Sequence, residues 1–276
     1  MNNKYNNSFF IKPTKKILLL LSCIFINPRV AAQTNEIKDL PAYVKKLIIV
    51  YPDFIKDYKN GFLIWKDGTK MLADDKIKSK SYLQLLENPS LKDEFLQIYP
   101  KGILTTFPIK NDDPGRIRYE PFFLKMYGAS QKEVSMHIVR IKWCPKLVGQ
   151  FINVTSVNGV DKKIKAISAE LDQHPELKEY LKNIGGTFNW RKISGTNRQS
   201  THSFGNTIDL NTQFANYWQW TCNCNNENLD LVMPNNTGKK QIPQLIIDIF
   251  EKNGFIWGGK WYHYDTMHFE YRPELL

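Results

Sequence analysis

Apolar and polar positions along the chain predict a series of short elements rather than one repeating pattern. From Leu40 to Tyr58, Val44, Leu47 and Ile48 fall at helical intervals until Pro52, which has no amide hydrogen to continue a helix. Lys80 to Tyr99 predicts a second helical stretch, with Leu83, Leu86, Phe95 and Ile98 as its buried stripe and Pro89 as its break. Between them, Gly61 to Gly68 reads as a short hairpin or strand-turn, and Asn111-Asp-Asp-Pro-Gly-Arg116 as a turn. Met136 to Trp143 and Gln150 to Val157 alternate like half-buried strands.

Val160 to Asn183 carries the strongest helical period, through Ile164, Ile167, Leu171, Leu177 and Leu181, with Gly185-Gly186 as its stop. Pro243 to Asn253 predicts one further helix, with Leu245, Ile246, Ile249 and Phe250 inward and Gly254 ending it. Thr207 to Asn211 and Met267 to Arg272 alternate as strands. Asn223 to Gly238 is a polar, Asn-rich loop. No internal repeat or low-complexity segment interrupts the pattern.

The 276 residues, 42% hydrophobic and 13% aromatic, suffice for one large core or a core with a helical partner. The first 32 residues read as an export signal: Lys12, Lys15 and Lys16 precede an apolar Ile17–Ile26 run, and Val30-Ala31-Ala32 offers small residues for cleavage. The run is shorter than the roughly 20 residues of a permanent span. The expectation is therefore a cleaved signal, no stable membrane span afterwards, and a mature chain in the periplasm or cell envelope. An uncleaved anchor and a lipoprotein (Leu20-Leu21-Ser22-Cys23) are the alternatives. Lys4, Lys12, Lys15, Lys16 and Arg29, with no acid, lie in this segment, so its removal lowers the net charge from +11 to +6. That excess suits an anionic wall or membrane surface; no basic block interleaved with aromatics supports nucleic acid. Cys144, Cys222 and Cys224 remain, and their pairing is open; no second Cys/His pair at zinc-finger spacing accompanies Cys222-x-Cys224.

The chemistry concentrates in Ser200-Thr-His202-Ser-Phe-Gly205-Asn-Thr-Ile-Asp209. Ile208 and Leu210 share one face of a strand, so Asp209 leaves the other, and Gly205 permits a sharp turn between His202 and Asp209. At the C-terminus His268, Glu270 and Arg272 alternate with Met267, Phe269 and Tyr271, which puts His268 on a polar face too. Two imidazoles and a carboxylate are good zinc ligands, and three protein ligands leave the fourth tetrahedral position to water, as in a catalytic site.

These segments resemble the M15 family of zinc metallopeptidases, the D-alanyl-D-alanine carboxypeptidases and L-alanyl-D-glutamate endopeptidases. The family's Ser-x-His-x-x-Gly-x-Ala-x-Asp stands here as Ser200, His202, Gly205 and Asp209, with Thr207 replacing Ala. Its acidic residue three before the last His is matched by Asp265 and His268. The resemblance implies Zn²⁺ held by His202, Asp209 and His268, Asp265 as general base, and peptidoglycan stem peptides as substrate. Asp in place of the commoner Glu tilts the comparison towards the endopeptidase branch. It implies an upstream arginine facing the oxyanion, Arg191 in preference to Arg198. The implied domains are 1–32 signal, 33–157 accessory, and 158–276 catalytic. The implied fold is α+β: an antiparallel sheet carries the zinc site, helices flank it, and a mostly helical N-terminal segment packs beside it.

Several neighbours take lesser roles. Ser200 supports ligand geometry, since no base is arranged to make it a nucleophile. Glu270 is placed to orient an imidazole, and His263 is either groove lining or a packed aromatic rim. His137, in an apolar strand, and His174, beside Pro175 on a helix, read as structural. The strand spacing of Asp265 and His268 requires a bend near Thr266-Met267. A non-catalytic wall-binding protein and a zinc peptidase for ordinary L-peptides are the competing functions.

Overall fold

The computed structural model describes residues 40–222 and 241–276. The export signal, Cys224 and the Asn-rich loop lie outside the described residues, as does the side chain of Cys222. Pro41–Leu276 forms one compact unit. The architecture is α+β, built from short helices and three small antiparallel sheets.

The first sheet is β1 (Ile55–Lys59), β2 (Phe62–Trp65) and β3 (Lys70–Leu72), preceded by α1 (Ala42–Val50). Asn60 and Gly61, at φ 51° and 84°, form the tight left-handed turn that the β1–β2 hairpin needs. Helices α2 (Tyr82–Glu87), α3 (Glu120–Tyr127) and α4 (Gln131–Ser135) follow. Ser81 begins α2 with a capping box shared with Gln84. The predicted stripe over Lys80–Tyr99 fails on both sides of Leu86: Leu83 and Ile98 are exposed. Past Pro89 only a 3₁₀ turn forms, at Lys92–Phe95.

The second sheet pairs β4 (Ile138–Trp143) with β5 (Gln150–Thr155). His137 falls in the exposed turn before β4, outside the strand expected to hold it. The long helix expected over Val160–Asn183 is broken. α5 (Val160–Leu171) ends, His174 adopts φ −115° and ψ 79°, and a 3₁₀ turn leads into α6 (Lys178–Leu181). Pro175 drives His174 out of the helical region. The Asp172 carboxylate then accepts from the amides of Lys146 and Leu147, fixing the break against the β4–β5 loop.

The third sheet carries the site. β6 (Thr207–Asp209), β7 (Phe255–Trp257) and β8 (His268–Tyr271) take the order β6-β8-β7, and Asp209 lies directly across from His268. Opposed residues in antiparallel strands share a face, so both project from the polar side. On the other side Ile208 and Phe269 are fully buried, and α8 (Gln244–Lys252) covers them with Phe250, whose ring stacks on Phe269 at 4.1 Å. The remaining helix, α7 (Trp218–Cys222), borders the site.

The N-terminal region is tied directly to this sheet. Arg272, fully buried, bonds Glu94 at 3.1 Å, Glu270 at 3.3 Å and Glu274, and lies over the Phe123 ring. Tyr51 donates to Glu274, Tyr99 accepts from the Trp257 amide, and the Trp261 indole donates to the Pro114 carbonyl. None of the described helices is long and apolar enough to cross a membrane.

Candidate metal centre

His202 lies on a 3₁₀ turn, Thr201–Phe204, that Gly205 closes. Gly205 sits at φ 67°, and an added Cβ would meet Ile138 Cδ1 at 2.6 Å and the Thr155 amide nitrogen at 3.0 Å. Both the left-handed conformation and the close approach of β5 therefore demand glycine. Gly185 and Gly186, expected only to stop a helix, instead bond to both backbone groups of Asp209 at 2.8 Å and hold that residue from its free edge.

The three expected donors converge. One ligand atom each from His202, Asp209 and His268 lies within 4.8 Å of the others, forming a group able to hold a metal ion. His202 Nε2 is 3.0 Å from Asp209 Oδ2, and His268 Nδ1 is 3.1 Å from Asp209 Oδ1. Ligand bonds of about 2.1 Å in a tetrahedron place neighbouring donors roughly 3.4 Å apart, close to these spacings. The second nitrogen of each ring already faces an oxygen: His202 Nδ1 lies 2.7 Å from the Thr187 carbonyl, and His268 Nε2 lies 3.4 Å from Glu270 Oε2. A ring that donates its N–H outward presents a lone pair inward, as a metal site requires.

Electrostatics follow the same geometry. Burial alone would raise the Asp209 carboxyl, but His202 and His268 hold it well below the usual range. Burial would likewise lower His268, yet Asp209 and Glu270 raise it to about 10 in the metal-free chain. Glu270 is buried too, and Arg118, His268 and Arg272 bring it down to about 2. It is thus a permanent carboxylate gripped by Arg118 at 3.1 Å and Arg272 at 3.3 Å.

Asp265 sits beside the trio. Its backbone bridges to Tyr217, its amide donates to Gly258, and its carbonyl accepts from the His268 amide. A turn at Thr266–Met267 thus supplies the bend that the Asp265–His268 spacing requires. Asp265 Oδ1 is buried with no hydrogen-bond partner among the described residues. Burial, and then the Asp209 charge, push its carboxyl up to about 6.

A cleft of about 1200 Å³ opens onto these groups, and Arg116, Arg191, Arg198, Trp218 and His263 line it. Arg191 is exposed there, its guanidinium donating to the Lys192 carbonyl. Ser200 is buried and bonds through its amide to the Arg191 carbonyl. The hydroxyl that ties this loop together is that of Ser203, which takes bonds from Gln199 and from the Arg191 amide.

Residues 194–271 match a family model described as D-alanyl-D-alanine carboxypeptidase. The match supports an M15-family peptidase over this segment. The match spans the three donors of the candidate metal centre and Asp265, together with Arg198, His263 and Glu270. A search of curated proteins and a search of solved structures found no match.

Much of the site's surroundings comes from outside the M15 match and carried no local sequence signal. Asp113 accepts from the His263 amide at 2.8 Å and lies 2.6 Å from His263 Nδ1, while Tyr82 also donates to it. His263 is further packed between Tyr82 and Trp218, at ring distances of 5.7 and 4.8 Å. The Asn111–Arg116 turn was legible, but its partners stand about 150 residues away.

Proposed function

We propose that this chain is an exported, zinc-dependent peptidase of the bacterial cell wall that hydrolyses an amide bond in peptidoglycan stem peptides. The observation that carries the reading is the convergence of His202, Asp209 and His268 with each imidazole's outer nitrogen already facing an oxygen. Such a donor set suits zinc, a borderline-soft cation that takes imidazole and carboxylate together. Zinc bound there would supply a Lewis acid that polarises the scissile carbonyl and lowers the pKa of water.

The chain's own groups provide the proton transfers. Asp265 has a buried oxygen without a partner among the described residues and a carboxyl near 6, so it is ionised at neutral pH yet basic enough to accept a proton from attacking water. It then hands that proton to the leaving amine. Arg191, at the cleft edge, is the fixed charge proposed to face the oxyanion. Glu270 orients His268, and the Thr187 carbonyl orients His202. Export follows from the basic and apolar character of residues 1–32.

The test is digestion of purified muropeptides beside casein, with mass analysis of the products and metal analysis of the protein. The proposal expects about one zinc per chain and cleavage of muropeptides only. It fails if zinc is not stoichiometric, or if Asp265→Ala retains full activity. Cleavage of casein instead would indicate a peptidase for ordinary L-peptides, and cleavage of neither a wall-binding protein.

A further inference from the structure

Of the three largely buried arginines that line the cleft, Arg116, Arg118 and Arg198, Arg116 has the most distant carboxylate. It enters from the Asn111–Arg116 turn, outside the M15 match, and lines the same cleft as His202, Asp209, Asp265 and His268. Arg118 is paired with Glu270 at 3.1 Å and Arg198 with Glu87 at 3.2 Å. For Arg116 the nearest carboxylate among the described residues is Asp113, 4.0 Å away. That carboxylate is already engaged by the His263 amide, by His263 Nδ1 and by the Tyr82 hydroxyl.

The guanidinium is nevertheless held in place. It donates to the His263 carbonyl at 3.3 Å and lies over the Trp261 indole at 5.9 Å; that indole is 5.4 Å from the His268 ring. One aromatic ring therefore separates it from a metal ligand. Its side chain is only 19% exposed. Burial disfavours this cation, and the charges of Asp113 and Asp265 outweigh that penalty, but no carboxylate lies nearer than 4.0 Å among the described residues, and guanidinium geometry favours a carboxylate bound through two oxygens.

We propose that Arg116 binds the free α-carboxylate of the residue released as the leaving amine, and so selects the bond that is cut. The inference rests on the peptidoglycan reading above. In acyl-D-alanyl-D-alanine the leaving residue keeps its α-carboxylate on the carbon attached to the scissile nitrogen. In the L-alanyl-D-glutamate bond the chain continues through the γ-carboxyl, so the leaving glutamate keeps its α-carboxylate in the same place. An internal bond of an ordinary L-peptide has an amide there. One guanidinium fixed beside the centre thus accepts both wall bonds and disfavours the third. The 33–157 region then contributes a specificity-determining residue to the active site.

The test compares an acyl-D-alanyl-D-alanine peptide with its C-terminal amide, and an L-alanyl-γ-D-glutamate peptide with its α-amide (isoglutamine) counterpart. Wild type, Arg116→Gln and Arg116→Lys are assayed on each pair. The carboxylate-to-amide ratio of kcat/KM is expected to fall about 10- to 100-fold in Arg116→Gln, as for loss of a charge-assisted bond. Arg116→Lys, which keeps the charge but loses the fork, is expected to fall between. The pair that shows the collapse identifies which carboxylate is bound. An equal loss on both members of a pair, or a preference that survives the substitution, overturns the proposal.

Calorimetry on metal-free protein separates this proposal from the reading beneath it. Tighter binding of the carboxylate peptide by wild type but not by Arg116→Gln supports Arg116 even if neither pair is cleaved, in which case the peptidase reading alone fails. Equal binding of carboxylate and amide by wild type overturns the role of Arg116.

Discussion

Glu270→Gln is the most informative single change at this centre, because it keeps the shape of a buried side chain and removes only its charge. Glu270 is fully buried, accepts from Arg118 and Arg272, and faces His268 Nε2. Arg272 retains Glu94 and Glu274 after the substitution, whereas Arg118 has no other carboxylate within 4.0 Å among the described residues. Stranding one buried guanidinium costs about 3 kcal/mol, the lower end for a broken buried pair. The pKa gives a similar figure: a carboxyl taken from 4.5 to about 2 is stabilised by roughly 3 kcal/mol in its ionised form.

For a unit of this size that loss lowers Tm by about 6–12 °C, measured by thermal unfolding of metal-free protein. Because the folded pKa is depressed, the wild-type advantage is complete above the ordinary carboxyl pKa. It shrinks as pH falls from about 4 towards 2. Zinc affinity, read by competition with a chromophoric chelator, should drop about 10- to 100-fold because His268 loses the acceptor that fixes its ring. A variant that binds zinc as tightly as wild type would refute the idea that Glu270 orients His268. A Tm difference independent of pH would refute the charge argument.

Four further outcomes follow from the same geometry. Gly205→Ala combines a left-handed conformation with a Cβ at 2.6 Å from Ile138 Cδ1, and should lose about 2–4 kcal/mol in denaturant unfolding. Asp265→Asn should retain zinc by metal analysis while kcat falls at least about 100-fold, since it removes the base and not a ligand. His202→Ala and His268→Ala should each abolish stoichiometric zinc. Chelation of wild type should abolish turnover, with zinc restoring it.

The candidate ligands were legible because they stand on local patterns: Asp209 and His268 alternate with Ile208 and Phe269, and strand pairing brings them opposite one another. The covering helix at Gln244–Lys252 was legible from its amphipathic period, although Leu245, expected inward, is exposed and Ile247 is buried instead. Helix lengths were less so. Pro175 split the stretch from Val160, and Leu83 and Ile98 kept a helical spacing while facing solvent. What the sequence hid was everything that depends on distant partners: Asp113 under His263, Arg116 over Trp261, and Glu94 against Arg272. No spacing rule links residues so far apart in sequence, so only the folded chain brings them together.

The central claim, a metal-centred peptidase acting on wall peptides, is tested most directly by mass analysis of defined muropeptides incubated with zinc-loaded wild type and with zinc-loaded Asp265→Asn. The account predicts that wild type releases D-alanine or splits the L-alanyl-D-glutamate bond, and that Asp265→Asn, with equal zinc content, does so at least about 100-fold more slowly. Intact muropeptides with zinc-loaded wild type, or equal cleavage by both proteins, would contradict it.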